Sequence, residues 1–394
     1  MFNVPKLRFG EFEGEYKEVK VGDICNCIVP GRNKPKKFDG DIPWITTPDI
    51  NSKYIFNPKE CLFIDRDEAK KIGSKIIPKD SVVMSCVGEL GVIAITKEPI
   101  VINQQLHAFL PSKVITSEFL NYSLLTQKKY MERVATKTTL LYMNKNSCNS
   151  IPILLPKLQE QKKISIYLTS IDKKIEQLNQ KSTLLESYKK GVMQKIFSQE
   201  IRFKRDDGGV FEDWEEEKLK NYLVESRIKG SSGDKAKKIT VKLWGQGVYA
   251  KNEIREGSSN TQYYIRKEGQ LIYSKLDFLN CAFGLIPKKL DGYESTVDLP
   301  CFNFIKDVNK ELLLERIKQK NFYKKNGDIA DGSRKAKRIH ANTFLSYTLF
   351  FPSLEEQQKI SNFLTSIDQK ITQNNQALEE MKAFKKGLLQ QMFV

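Results

Sequence analysis

Two acidic residues and a lysine in the first half of the chain loosely match the pattern of metal-dependent nucleases. Asp49 follows a proline, and Glu68 and Lys70 come further along. Such carboxylates could hold Mg²⁺ for phosphodiester cleavage. The pattern is common by chance, Glu68 falls in a predicted surface helix, and the second half of the chain has no matching pair. Cleavage is therefore kept only as a minor alternative.

Motifs of other catalytic classes are missing from the sequence. It contains no GxxxxGK[ST] loop, no glycine-rich nucleotide fingerprint and no Asn-Pro-Pro-aromatic tetrad of adenine methylases. Neither His107 nor His340 has a metal-binding partner at a useful spacing. We expect His107 in the core or at a strand end, and His340, among basic residues, could contact phosphate. We predict no catalytic residue, metal or cofactor in this chain.

The composition favours a polyanionic partner. The chain has 394 residues, of which 40% are hydrophobic, and a formal charge of +17. This length allows two or three domains, and the charge favours nucleic acid over the alternative of an ordinary basic surface. A polar N-terminus, scattered cysteines and the lack of an apolar run of about 18 residues predict a reduced, cytoplasmic protein without a membrane span.

A long repeat is the main signal of the sequence. The segment PKLQEQKKISIYLTSIDKK starts at Pro156, and PSLEEQQKISNFLTSIDQK starts at Pro352. The copies align without a gap at an offset of 196 residues, the difference between 352 and 156. Each predicts one helix of about 40 residues, or roughly 60 Å. Proline before the helix and Glu160 or Glu356 in its first turn are typical of helix starts.

Apolar residues recur every three or four positions in both copies, which predicts a narrow pairing stripe. Two helices packed separately on their own domains are the alternative. The predicted pairing residues are Ile164, Leu168, Ile171, Ile175, Leu178, Ser182 and Leu185 in the first copy, and Ile360, Leu364, Ile367, Ile371, Asn374, Leu378 and Met381 in the second.

The polar positions of the stripe predict the direction of pairing. Ser182 and Asn374 are not equivalent in the repeat. Antiparallel helices would place them face to face, with Ile164 opposite Met392 and Leu168 opposite Leu388. Parallel helices would set polar against apolar, and an unmatched buried amide costs roughly 1–3 kcal/mol. We therefore expect antiparallel pairing, a pseudo-two-fold repeat, and Val394 near the start of the first domain.

The chain thus reads as domain, helix, domain, helix, with bounds 1–153, 154–199, 200–350 and 351–394. Both halves have an aromatic residue, Tyr16 or Trp214, in an acidic setting just before a domain begins.

Two variable lobes, residues 15–150 and 213–348, mix short β-rich runs with turns. SVVMSCVGELGVIAIT and QLIYSKLDFLNCAFGLIP predict hairpins, DIPWITTPDI a strand or extended loop, and SEFLNYSLLTQKKYMERVAT and KELLLERIKQKNFYKKNG helices. We expect α/β (α+β) lobes.

Basic polar loops are the predicted DNA surface, because Lys and Arg suit phosphates while Asn, Gln and Arg suit base edges. For any single loop, a solvated surface remains the alternative. The candidates are Arg32, Asn33, Lys34, Lys36, Lys37, Lys137, Thr138, Asn144, Lys145 and Asn146 in the first lobe, and Arg227, Lys229, Lys235, Lys237, Lys238, Trp244, Gln246, Tyr249, Arg334, Lys335, Lys337 and Arg338 in the second.

The layout resembles the specificity subunit of type I restriction-modification enzymes. The paired helix starts PKLQEQKKI and PSLEEQQKI carry the likeness, and GDIPWITTPDI, VINQQLHAF and GLIPKKLDGYESTVDLPCF look like elements of its target-recognition domains. The resemblance implies two target-recognition domains separated by a long antiparallel two-helix coiled coil. Each domain would bind half of a bipartite double-stranded DNA site, and the helices would fix the gap.

The same resemblance implies partners that perform the chemistry. Two methyltransferase subunits would dock on the helices and supply S-adenosylmethionine and adenine N6 methylation. Two restriction subunits would add ATP- and Mg²⁺-dependent translocation and cleavage, and whether they accompany this chain stays open. The rivals are a stand-alone DNA-binding regulator and the nuclease described above.

Overall fold

The structure, a computed structural model, describes residues 4–137, 139–252, 257–328 and 338–393. The chain divides into two compact units, residues 1–180 with 375–394 and residues 181–374. Each long helix contributes one segment to each unit.

The helices of the described chain are α1 (Val21–Ile24), α2 (Arg66–Lys71), α3 (Ser117–Thr126), α4 (Lys128–Val134), α5 (Lys145–Asn149), α6 (Leu158–Phe197), α7 (Lys310–Ile317), α8 (Lys320–Asp328), α9 (Ala341–Ser346) and α10 (Leu354–Met392). Short 3₁₀ turns cover Thr47–Asp49, Leu219–Asn221, Phe278–Asn280 and Lys288–Leu290.

The strands of the first unit are β1 (Lys17–Lys20), β2 (Cys25–Ile28), β3 (Ile42–Ile45), β4 (Tyr54–Ile55), β5 (Phe63–Ile64), β6 (Val82–Ser85), β7 (Ile93–Thr96), β8 (Val101–Ile102), β9 (Leu106–Pro111), β10 (Thr136–Lys137), β11 (Leu141–Tyr142) and β12 (Pro152–Leu155). Those of the second unit are β13 (Glu215–Lys218), β14 (Leu223–Ser226), β15 (Lys229–Ser232), β16 (Ile239–Val241), β17 (Val248–Ala250), β18 (Gln262–Ile265), β19 (Leu271–Tyr273), β20 (Phe283–Leu285), β21 (Glu294–Ser295), β22 (Cys301–Phe304) and β23 (Thr348–Phe351).

A five-stranded sheet in the order β2-β9-β6-β7-β4 forms the scaffold of the first lobe. Its strands are antiparallel except that β4 joins β7 in parallel. Alternate residues face two cores, since Val82 and Met84 pack with α3 and α6 while Val83 packs with residues of the smaller sheet β5-β3-β8. Burial on both faces explains why these strands are continuous apolar runs.

The second lobe repeats this logic with different strands. Its main sheet has the order β14-β22-β19-β20, beside the smaller sheet β15-β18-β21 and the hairpin β16-β17. Tyr273 and Phe283 face the core that includes α7 and α10, whereas Ile272 and Ala282 face the opposite core. Aromatic rings around Tyr273 fill the larger core, with Phe302 stacked on it and Phe344 tilted against it.

The structure confirms the predicted elements of both lobes. SVVMSCVGELGVIAIT forms the hairpin β6-β7, and QLIYSKLDFLNCAFGLIP forms β19-β20 around a 3₁₀ turn. DIPWITTPDI gives β3 and the next 3₁₀ turn, and the predicted helices are α3 with α4 and α7 with α8. The long helices are also confirmed, starting at Leu158 and Leu354. No helix in the described part of the chain combines the length and apolarity needed to cross a bilayer.

Candidate nucleic-acid interface and the helices that carry it

A buried glutamate in the first turn of each long helix fastens a lobe to that helix. Arg8 donates from Nε and Nη2 to the two carboxylate oxygens of Glu160, at 2.7 and 2.8 Å, and the Tyr16 hydroxyl donates to the same group at 2.7 Å. Glu160 is only 1% exposed. The hydrogen bond with Glu160 raises the pKa of Arg8, and burial raises the pKa of Tyr16. The ion pair is therefore held in a largely dry setting.

The second repeat builds the same contact with different chemistry. Arg202 donates to Glu356 from Nη2 at 2.9 Å, and the indole Nε1 of Trp214 donates to Glu356 at 2.9 Å. Glu356 is fully buried. We call each arginine, aromatic and glutamate set a lobe–helix junction. The aromatic residues that the sequence placed in acidic surroundings are thus the second donors to these carboxylates.

The next residue of each helix ties the junction to a shorter helix of the lobe. Gln161 donates to the carbonyl five residues before it and accepts from the backbone N–H of Thr116, the N-cap of α3. Gln357 makes the same contacts with its own helix start and with Asn309, the N-cap of α7. Strand pairing of β1 with β12, and of β13 with β23, closes each lobe at the same place.

Ion pairs show that the helix segments run antiparallel within each unit. In the first unit, Lys385 Nζ lies 2.5 Å from Asp172 Oδ1. The backbone of Leu7 bonds to Gln391, next to the arginine that holds the start of α6, so the end of α10 lies at the start of α6.

The second unit repeats this ion pair, with Lys189 Nζ at 2.6 Å from Asp368. Asp368 and Asp172 are separated by the repeat offset of 196 residues, as are Lys385 and Lys189. Ile196 and Ile360, from the end of α6 and the start of α10, share one core. The antiparallel prediction is confirmed.

The stripe residues have the burial that pairing requires. Buried members are Ile164, Leu168, Ile171, Leu178, Ile360, Leu364, Ile367, Asn374 and Leu378, and half-buried members are Ile175, Ser182, Leu185, Ile371 and Met381. Ile164 and Leu168 share a core with Leu388 and Met392, as the predicted register requires. The contact of Ser182 with Asn374 stays a prediction. Val394 lies outside the described residues, but its neighbour Phe393 stacks on Phe119 of the first lobe.

Two side chains, buried Glu68 and exposed Gln104, anchor the basic loop after β2. Glu68 accepts from the backbone N–H of Lys36 at 2.6 Å, and Gln104 donates to the carbonyl of Asn33 at 2.9 Å. Gly31 approaches α2 so closely that a Cβ would lie 2.3 Å from the carbonyl oxygen of Ile72. The backbone is therefore held inward while the side chains project into solvent. The exposed members of the set are Arg32, Asn33, Lys34, Lys36 and Lys37.

The later candidates of the first lobe are also exposed. Lys137, Lys145 and Asn146 project into solvent, whereas the side chain of exposed Asn144 caps α5 by accepting from Ser147. Thr138 lies outside the described residues.

The second lobe displays aromatic and basic side chains on and beside the hairpin β16-β17. Trp244 is 61% exposed at its turn, where its backbone N–H bonds to Asn280. Tyr249 is 41% exposed, with Lys242 Nζ 4.8 Å and Lys289 Nζ 5.9 Å from its ring centre. These two lysines were not among the predicted contact residues, and Lys289 is 40 residues from Tyr249 in sequence.

Other candidates of the second lobe divide into three groups. Exposed residues are Arg227, Lys229, Lys235, Lys237, Gln246 and Arg338. Arg227 is paired with Glu225. Lys238 is buried, with Nζ 5.6 Å from the ring centre of Tyr263, so its ammonium group lies against an aromatic ring. Arg334, Lys335 and Lys337 lie outside the described residues.

The acidic nuclease-like residues have structural partners. Asp49 accepts from Thr46 and from the backbone N–H of Lys59, and Glu68 is the loop anchor described above. Glu68 is buried, although its helix was predicted to lie on the surface. Within residues 4–137, 139–252, 257–328 and 338–393, neither joins a group of three side chains placed to bind a metal.

One such group does occur, and its members were not predicted as a set from the sequence. His107 Nδ1 lies 3.3 Å from Cys148 Sγ, which lies 3.5 Å from Cys86 Sγ. Hydrogen bonding to Cys86 lowers the pKa of the Cys148 thiol to about 6, with a further contribution from His107. The partners are 41 and 62 residues apart in sequence, so no spacing motif reveals them.

Comparison with known proteins gives a consistent result. Residues 13–187 match the family described as type I restriction modification DNA specificity domain. The chain is 24% identical to the type I restriction enzyme MjaVIII specificity subunit of Methanocaldococcus jannaschii, over 95% of this chain and 91% of that protein. It is 27% identical to the MjaIX specificity subunit of the same organism, over 44% of this chain and 41% of the relative's length.

A solved structure extends the likeness to the second half. The S subunit of a type I restriction-modification system from M. genitalium aligns over 99% of both chains with a TM-score of 0.55, at 13% identity. This match concerns the fold, including both lobes and both long helices. These findings show that residues 13–187 belong to the family of type I restriction modification DNA specificity domains, and that the whole chain is similar to specificity subunits of such systems.

Proposed function

We propose that this chain selects the DNA sequence on which a type I restriction-modification complex acts, and that it is not itself catalytic. The observation that carries the proposal is the repeated junction, which presents two lobes with different exposed surfaces on equivalent helices. Equivalent anchoring is expected of two lobes that bind DNA in the same way, and different loops are expected of two lobes that bind different half-sites. The first lobe offers Asn33 beside lysines, and the second offers Trp244 and Gln246. The long helices would then set the gap between the half-sites.

Exposed apolar side chains on the helices support docking of methyltransferase subunits. Tyr188 and Phe384 are equivalent in the repeat and are 53% and 50% exposed. Ile166 and Leu184 of α6 are exposed still more. Isolated helices gain nothing from such residues in water, whereas a partner would bury them. Two equivalent aromatic positions favour two methyltransferase subunits.

The chemistry would reside in those partners. S-adenosylmethionine would be bound by the methyltransferase subunits, and ATP and Mg²⁺ by restriction subunits where these join the complex. The complex would act on double-stranded DNA in the cytoplasm. A stand-alone regulator would have no use for paired apolar positions on the helix surfaces.

Reciprocal lobe exchange tests the proposal. Residues 21–151 would be replaced by the corresponding lobe of another specificity subunit, which retains the junction and both strands of the β1-β12 pair. The chimera would be produced with its methyltransferase, and methylated adenines would be mapped by sequencing. We expect one half-site to change while the other and the gap persist.

The matched exchange replaces residues 219–347, between β13 and β23. It should change only the other half-site. Chimeras that alter both half-sites together, or neither, would contradict two independent readers.

A further inference from the structure

Cys86, His107 and Cys148 meet inside the first lobe from three separate elements. Cys86 follows β6, His107 lies in β9 and Cys148 lies in α5. The pairing of Met84 with His107 and the backbone bond from Cys86 to Gln105 put the first two residues on one face of the main sheet. Cys148 lies on α5, which packs against that face of the sheet. All three are buried, with 0%, 4% and 0% exposure.

The spacing of their ligand atoms matches the shell of a tetrahedral metal ion. Zinc lies about 2.3 Å from a thiolate and about 2.0–2.1 Å from an imidazole nitrogen, so neighbouring ligands of a tetrahedron are roughly 3.5–3.8 Å apart. The two measured separations are 3.5 and 3.3 Å, and all three ligand atoms lie within 4.8 Å of one another. Movements of a few tenths of an ångström would admit the ion.

We propose that Cys86, His107 and Cys148 form a structural zinc site that fastens α5 to the main sheet of the first lobe. Thiolates and imidazole select zinc over the hard cations Mg²⁺ and Ca²⁺. Two thiolates and a neutral imidazole would also cancel the charge of Zn²⁺, which a buried site requires. Complete burial leaves no open position for a substrate, so the role is structural.

Cys27 lies beside these three residues, but its sulfur is not among the ligand atoms that lie within 4.8 Å of one another. It is 4% exposed and pairs with Phe109 in β9, so it lies diagonally across from His107 on the same sheet face. Its strand packs against α5, which bears Cys148. Cys27 is therefore not counted among the three proposed ligands.

The position of the site gives it a consequence. Cys148 lies within three residues of Lys145 and Asn146, which are exposed candidates for DNA contact. The backbone of Met143 also bonds to Cys86. The metal would therefore fix the position of this basic segment. Its effect on DNA binding rests on the proposed function, whereas the presence of the metal does not.

Metal analysis of the full chain is the primary test. The protein would be purified without a histidine tag or chelator, and its zinc measured by inductively coupled plasma mass spectrometry. We expect one zinc per chain that survives dialysis against EDTA and is released by a mercurial that titrates thiols. Protein grown on cobalt should show a thiolate-to-cobalt charge-transfer band.

Serine variants identify the ligands. Cys86→Ser and Cys148→Ser should each lose the zinc and the cobalt band. Cys25→Ser, a buried cysteine of the same core, and Cys301→Ser, a buried cysteine of the second unit, should keep both. If a ligand variant fails to fold, the metal content of the wild type still decides the question.

Two results would overturn the proposal. One is wild-type protein with zinc far below one equivalent and no cobalt band, which would leave a hydrogen-bonded thiol–imidazole cluster. The other is a Cys86–Cys148 disulfide in freshly purified protein, detected by mass spectrometry. If the zinc proposal is overturned, the result expected for the lobe exchange does not change, so each proposal can be rejected without the other.

Discussion

Glu160 and Glu356 are carboxylates that folding removes almost completely from water. Each carboxylate can be buried because an arginine and an aromatic N–H or O–H group donate hydrogen bonds to its oxygens. Burying an ion pair is costly, so its net contribution to stability is small, but removing one partner strands the other. The junctions therefore fix where each lobe attaches more than they raise overall stability.

Replacing Glu160 by alanine should be strongly destabilising. Arg8 and the Tyr16 hydroxyl would lose their shared acceptor, and breaking a buried pair costs about 3–5 kcal/mol. Urea unfolding followed by circular dichroism would measure the loss. Glu379→Ala removes a carboxylate that is 71% exposed and should cost less than about 1 kcal/mol. Equal losses in the two variants would contradict a specific role for the junction.

Lys53 gives the first unit a pH dependence of defined sign. Its Nζ donates to Tyr122 and Thr169, and burial lowers its pKa from 10.5 to about 8 despite the neighbouring Asp172. Between these values the unfolded chain binds more protons than the folded chain, so the contribution of Lys53 to stability rises with pH. Below about pH 8 both states are protonated and the contribution is constant.

The wild type should therefore gain stability relative to Lys53→Met as the pH rises from 8 to 10.5. Melting temperatures of both proteins across this interval would measure the difference. Lys113→Met, at an exposed lysine of the same unit, provides the control and should follow the wild type. A difference that stays flat or shrinks would refute the assignment to Lys53.

At the scale of elements, the long helices could be predicted well and the recognition loops only in outline. A narrow apolar stripe repeated at one offset determines helix, partner and direction, because only antiparallel pairing matches polar with polar positions. Loop side chains carry no such periodicity. Lys36 is exposed and Lys238 is buried although both occur in similar basic runs. What distinguishes them is their tertiary surroundings, with Glu68 holding the backbone of Lys36 and Tyr263 packing near Lys238.

The same limit explains why the sulfur–imidazole cluster was not predicted. Metal sites can be predicted from sequence when their ligands recur at short spacings, as in CxxC pairs. Here a sheet register joins Cys86 to His107, and a distant helix adds Cys148. Neither contact follows from local pattern. The sequence showed Tyr16 and Trp214 only as similarly placed aromatic residues, because the glutamate that each one contacts lies over 140 residues away.

The loop after β2 yields a prediction for binding. Its anchored backbone aims Lys34, Lys36 and Lys37 at solvent. Changing all three to alanine should weaken DNA binding by the complex with methyltransferase and lower the slope of log K against log salt by about 0.9 for each phosphate that is no longer neutralised. Fluorescence anisotropy at several salt concentrations would measure this slope. Lys128→Ala with Lys129→Ala, exposed on α4, is the matched control, and equal slopes in all three proteins would exclude the loop from the interface.

The proposed spacer role of the helices makes a prediction for the whole molecule. Seven residues with the apolar spacing of the stripe would be added to α6 after Gln180 and to α10 after Gln376, which are equivalent positions. The same face of each helix would still pair, and each helix would lengthen by roughly 10 Å, or at most about three base pairs of DNA. Mapping of methylated adenines should show unchanged half-sites separated by a wider gap.

Adding the segment to one helix alone provides the control. It would shift every later pair of the stripe and separate Lys189 from Asp368 or Lys385 from Asp172. Such a variant should lose stability and methylation altogether, because its apolar residues would no longer face apolar residues of the opposite helix. The double insertion is the informative case. An unaltered gap would show that the spacing of the half-sites is set by the lobes or by the methyltransferase, and altered half-sites would show that base reading depends on the helices themselves.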